Sequence, residues 1–169
     1  MVSPGLTEAR ELIGRRFEVA FEGQEVAVTA VLLAEEAPIT CENFWQGIGE
    51  SWRAEAHHGR ETGPELWCYV PPPGEELPYE NATVFPEPGD VLYYHYVQPP
   101  TRDGARIFDV GIYYGRGCSK LAQGWIPGNL FARVTDREGL RRLEAVASQL
   151  LEGGTLPVTL RPVRDGRAG

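Results

Sequence analysis

Residues 90–98 read DVLYYHYVQ. Aromatic and β-branched residues dominate the stretch, which is the composition of a pleated strand. With a period of two, Val91, Tyr93, His95 and Val97 share one face and Leu92, Tyr94 and Tyr96 the other. Pro99–Gly104 follows as a loop carrying an Asp-Gly turn signal, and Ile107–Tyr114 pairs back as a second strand. Upstream, Phe17, Val19 and Phe21 alternate with Arg16, Glu18 and Ala20. After the turn at Glu22-Gly23-Gln24, Val26, Val28, Ala30 and Leu32 keep the same period, so this segment is a hairpin. Residues 37–48 predict a short buried helix: Pro38 suits a first turn, Phe44, Trp45 and Ile48 fall at helical spacing, and Gly47 or Gly49 ends it.

The remaining elements follow from similar signals. Residues 50–64 are polar and contain His57 and His58. Leu66–Val70 reads as a strand stopped by Pro71-Pro72-Pro73-Gly74, Tyr79–Phe85 as another, and Leu130–Val134 as one more. Asp136 stands as an N-cap before Leu140, Leu143, Val146, Ala147, Leu150 and Leu151, an amphipathic stripe ended by Gly153-Gly154. Thr155–Val163 closes the chain as a strand. About eight strands and two helices without βαβ alternation point to an antiparallel barrel plugged by two helices. Its interior is expected to keep room for a guest. Residues 1–14 read as an N-terminal extension, with a short helical turn over 3–13, residues 15–163 as the barrel domain, and 164–169 as a flexible tail.

Composition bounds the function. The chain has 169 residues, 42% hydrophobic and 24% charged, which suits one domain with a real core. Its net charge of −8 opposes a phosphate backbone, so nucleic acid is not an expected partner. No apolar run approaches the roughly 20 residues of a membrane span, and Met1–Arg10 lacks the apolar core of a secretion signal. Cys41, Cys68 and Cys118 are odd in number and lack CxxC spacing, which is the pattern of free thiols in a reducing cytoplasm. Lys120 is the only lysine in an arginine-rich chain, and lysine, unlike arginine, can lose its proton when desolvated. A homodimer covering an exposed edge strand is a further expectation.

Several short words, taken in order, carry a family resemblance. They are PITCENF at 38–44, GDVLYYH at 89–95, GARIFDVG at 104–111 and PGNLFARVTDREGLRRL at 127–143. Together with the order hairpin, helix, strands, helix, strand, they resemble the cyclophilins. They are closer still to a bacterial branch of cyclophilin-like proteins of unknown function. The words shared with that branch are Glu80-Asn81-Ala82, Pro88-Gly89, Leu92-Tyr93-Tyr94, Ser119-Lys120, Gln123 and Gly128-Asn129-Leu130-Phe131, with Trp125-Ile126 as an insertion. The resemblance runs from about Arg15 to Leu160. It implies a mainly β fold, a cyclophilin-like closed antiparallel barrel of about eight strands with two capping helices.

Proline isomerisation is a third reading, weakened because most of the proline-binding surface that the resemblance implies is missing. Arg60 is the only candidate for the arginine that the resemblance implies. Counting from it, Glu65 and Cys68 stand where a phenylalanine and a glutamine belong, and Arg106-Ile107 where a glutamine-phenylalanine pair belongs; Leu66 alone keeps an apolar character. The polar residues suggest other chemistry. His58, Glu80, His95 and Lys120 are the candidates for proton transfer or for holding an anion. Arg60, Asn81, Tyr93, Tyr114, Ser119, Gln123 and Asn129 are candidates for substrate binding. The many large rings, among them Trp45, Trp52, Trp67, Tyr69 and Trp125, suit a pocket with an apolar wall. The expected ligand is a small carboxylate, amide or cyclic imide, bound with hydrolase, lyase or isomerase chemistry, or held without catalysis by an accessory subunit. No cofactor is expected and no metal: His58, His95 and Glu80 at no demanding spacing are the only candidate set.

Overall fold

Alternation in the first hairpin sends Phe17, Val19 and Phe21 of β1 (Arg16–Phe21) and Val28, Ala30 and Leu32 of β2 (Val26–Leu32) into one buried core. The computed structural model describes residues 10–97 and 106–164. The expected loop at 99–104, the segment before residue 10 and the tail from 165 lie outside the described residues. The remaining strands are β3 (Trp52–His58), β4 (Glu65–Tyr69), β5 (Ala82–Thr83), β6 (Asp90–Val97), β7 (Arg106–Tyr113), β8 (Lys120–Leu121), β9 (Gly124–Trp125), β10 (Gly128–Arg133) and β11 (Leu156–Pro162). Eight of them run in the spatial order β2-β1-β11-β3-β4-β7-β6-β10, and β10 returns to β2, so the sheet closes on itself. Every pairing is antiparallel. The result is a mainly β fold, an eight-stranded closed barrel with two helices.

The two helices begin in different ways. In α1 (Pro38–Ile48), Pro38 occupies the first turn, but Ala37 at the N-cap has no side-chain oxygen. Glu80 supplies the missing acceptor from another loop, taking the Ile39 and Thr40 amides at 3.2 and 2.8 Å. Gly49 ends the helix at φ 55°, a conformation that favours glycine. In α2 (Arg137–Ser148), Asp136 accepts the Glu138 and Gly139 amides at 3.0 Å each. We expect Asp136→Ala to lower the unfolding free energy by about 1 kcal/mol, read as a shift in the urea midpoint. An unchanged midpoint would show that the cap is redundant.

The barrel interior is filled by its own side chains. Phe131 has no exposed surface, and its ring centroid lies 4.7 Å from Phe44, 6.2 Å from Phe17 and 6.0 Å from Tyr93. From α2, Leu143, Val146 and Ala147 join the same core. The guest space expected inside the barrel is therefore occupied, because four large rings meet there. Two further expectations change. Tyr79–Phe85 contributes only the two-residue β5, and the eighth wall strand is instead β3, within the polar stretch 50–64.

Candidate functional site

The same alternation that points Leu66, Cys68, Val110 and Ile112 inward turns their neighbours outward. On that outer face Glu65 stands opposite Tyr113, Trp67 opposite Gly111 and Tyr69 opposite Asp109. Across the next pair, Leu92 meets Gly111 and Tyr94 meets Asp109. This outer wall is not bare. Ile126 and Leu130 pack on a second buried cluster of Leu92, Tyr94 and Tyr113. The covering segment is tied down by the Ser119 amide donating to the Val84 carbonyl and the Cys118 amide donating to Thr62.

Between wall and cover lies a cavity of about 1120 Å³. Rings of Trp67, Tyr69, Tyr94, Tyr96 and Tyr114 line it, with His57, His58, Arg60, Thr62, Glu65, Asp109 and Ser119. The segment after α2, residues 150–155, forms another side. His57 stacks on Trp67 at 4.4 Å, and Tyr69 meets Trp67 edge-on at 5.2 Å.

Two carboxyls sit in this site. Glu65 is buried, and burial pushes its pKa up to about 7; hydroxyls of Thr62 and Tyr113 pull the other way without cancelling the shift. Thr62 donates a hydrogen bond to it. Its seat exists because Gly111 has no side chain: a Cβ there would stand 1.9 Å from Glu65 Oε1. Asp109 is also raised, first by burial and then by the charge of Glu65. Beside them the Tyr94, Tyr113 and Ser119 hydroxyls bond to one another, Tyr94 to Tyr113 at 2.9 Å. Burial holds both phenols well above their usual range, so they stay neutral. The arrangement offers proton donors and acceptors near neutrality against an aromatic wall.

The residues singled out from the sequence divide among several places. His58, Arg60, Tyr114 and Ser119 line this cavity. His58 bonds through Nε2 to the Tyr114 hydroxyl and through Nδ1 to the Gly59 carbonyl, each at 2.7 Å. Glu80 holds the start of α1, and Asn129 is fully buried behind it, accepting the Glu80 amide and donating to Thr40 Oγ1 and the Pro78 carbonyl. Asn81 donates to the Leu130 carbonyl at a positive φ of 46°. Tyr93 is packed into the barrel core. Lys120 lies over the exposed Trp125 ring, and Gln123 is exposed. His95 is buried against Tyr79 in a separate cleft of about 280 Å³; neither ring nitrogen finds a partner among the described residues, and burial followed by the Arg106 charge lowers its pKa. Glu65, Asp109 and Thr62 join the cavity without having been singled out for it, beside Trp67 and Tyr69, whose rings were expected in a pocket wall. For the two carboxyls the signal in the sequence is an acid placed within or at the head of an apolar strand, as in IFDVGIY and ELWCY.

Among the described residues no three His, Cys, Asp or Glu side chains are grouped to hold a metal ion, and no helix is long and apolar enough to cross a membrane. Cys41, Cys68 and Cys118 are free thiols.

A family model described as "Protein of unknown function (DUF3830)" matches residues 19–161. No curated protein matches the chain. Among solved structures, the chain is similar to one described as "Structure of McbB in complex with tryptophan", with a TM-score of 0.64 and 18% identity over 90% of this chain. It spans 46% of that chain's length, under half. At this identity the likeness shows the shared fold.

Proposed function

The chain belongs to DUF3830, a family of unknown function, and from that premise we propose that it binds a small ring-bearing metabolite in the outer-wall cavity and exchanges a proton with it through Glu65. One observation carries the reading: a buried carboxyl held near neutrality lines a large aromatic cavity. Of the ligand classes suggested by the sequence, amides and cyclic imides suit the site, because their N–H groups meet carboxyl acceptors; a carboxylate would be repelled. Trp67 and Tyr69 offer flat apolar surface for the ring. Glu65 is the acid–base candidate, and His58, oriented by Tyr114, is a second. Ser119 and Arg60 are candidates for orienting the ligand. The order of hairpin, helix, strands, helix and final strand supports a place in the cyclophilin-like superfamily. The free thiols support a reducing, cytoplasmic setting.

A thermal-shift screen of lactams, cyclic imides and aryl amides tests the proposal. Hits should raise the Tm of the wild type and lose their effect in Trp67→Ala. Turnover followed by mass spectrometry should fall roughly a hundredfold or more in Glu65→Gln. Hits that bind Trp67→Ala as well as the wild type would place the ligand elsewhere. Binding without turnover would favour the accessory-subunit reading.

A further inference from the structure

Asp109 is only 6% exposed, yet among the described residues no group donates a hydrogen bond to its carboxyl. It lines the cavity, so its open acceptor positions face ligand space. The Asp109 oxygens are not sealed from the cavity, so a ligand that displaces the solvent there must bring a donor of its own. Glu65 lies over Gly111, two residues from Asp109 on one face of β7, a spacing of about 7 Å along the strand. Around this pair stand the faces and edges of Trp67, Tyr69, Tyr94 and Tyr96.

We infer that the cavity is built for a cationic nitrogen carried on a small ring system, a protonated amine, amidine or guanidine, with Asp109 as its counter-ion. The inference rests on the proposed binding role of this cavity and ranks a charged N–H donor above the neutral N–H of an amide or imide. Charge on the lining agrees. Among the described lining residues Glu61, Glu65, Asp109 and Glu152 are acids, against the one guanidinium of Arg60, with His57 and His58 on β3. Burial lowers the pKa of His57, which keeps it neutral near pH 7. Tyr94 and Tyr96 stay neutral and add ring quadrupoles that favour a cation. Both carboxyls hold protons more tightly than usual. An arriving cation therefore displaces a proton: the ligand keeps its own, and the carboxyl releases one to solvent.

Three near-isosteric probes separate the outcomes: phenethylamine as the cation, 3-phenylpropionamide as the neutral analogue and 3-phenylpropionate as the anion. Isothermal titration should find the amine bound about tenfold more tightly than the amide, and the acid weakest. Amine affinity should rise with pH as the carboxyl gives up its proton, with proton release revealed by buffers of different ionisation enthalpy. Asp109→Asn should remove the preference for amine while leaving amide affinity within about threefold. Amide binding equal to or tighter than amine binding overturns the cation assignment and leaves the cavity role standing. If none of the three probes binds and the lactam and imide screen is also blank, both fall. If Asp109→Asn fails to fold, Trp67→Leu replaces it, and loss of amine affinity beyond the loss of amide affinity remains the expected result.

Discussion

Replacing Phe131 with alanine will lower the unfolding free energy by about 3–5 kcal/mol. The ring has no exposed surface and sits where Phe17 of β1, Phe44 of α1 and Tyr93 of β6 converge. Its removal strips contacts from two strands and a helix that come from distant parts of the chain. The three neighbours are themselves held by the closed sheet, so they can collapse only partly into the space. For a domain of this length the loss corresponds to roughly 10 °C in Tm. Urea unfolding at fixed pH measures it. A cost below about 1 kcal/mol would mean that the interior relaxes freely and is not packed as described.

Glu65→Gln should change how stability depends on pH. The folded pKa of about 7 stands above the ordinary 4.5. Below the lower value both states carry the proton and Glu65 adds no pH dependence. As pH rises from 4.5 to 7 the unfolded chain releases the proton that the folded chain keeps, so wild-type stability falls across that window and levels off above it. A shift of this size amounts to about 3 kcal/mol at most. Asp109 is raised in the same direction and contributes a slope of its own, which weakens when the Glu65 charge is gone. The glutamine variant should therefore show a flatter profile of stability against pH, exceeding the wild type most near pH 8 and least near pH 5, where the folded Glu65 carries its proton and the amide, still able to accept from Thr62, resembles it. Equal slopes for the two proteins would show that Glu65 ionises normally.

Much of the wall could be read from residue order. In β6 the alternation of Tyr93 and His95 with Tyr94 and Tyr96 gave both faces correctly, since large rings and β-branched residues leave few alternatives to a strand. Asp136 announced α2 because its carboxylate satisfies amides within the same short stretch. β3 escaped notice for the opposite reason. Past Trp52 its core-facing positions are only Ala54 and Ala56, and Arg53, Glu55 and His57 give the stretch a loop-like polarity; the strand is held by its partners β11 and β4, not by local propensity. The site was legible in part. His58, Arg60, Tyr114 and Ser119 do share a cavity, whereas Glu80 and Asn129 serve the start of α1. A polar residue before a turn looks the same in either role until the fold brings its partner close. Glu65 and Asp109 were hidden because what surrounds them comes from strands distant in sequence: Gly111 of β7 leaves the seat for Glu65, and Tyr69 and Tyr94 flank Asp109 across two strand pairs.

The closure itself is uneven. β10 meets β6 along its length and β5 at Gly128 and Asn129, but it joins β2 only at Ala132 opposite Leu32 and Arg133 opposite Val31, reinforced by the Leu33 amide donating to the Phe131 carbonyl. β1 and β2, by contrast, share six paired positions. A cylinder stitched so briefly between β10 and β2, and by only two pairs again between β3 and β4, parts first along one of these two lines. Slow breathing along the first would peel β2 and α2 away from β10 as a flap, wetting the Phe131 ring while the sheet that carries Glu65 and Asp109 stays whole.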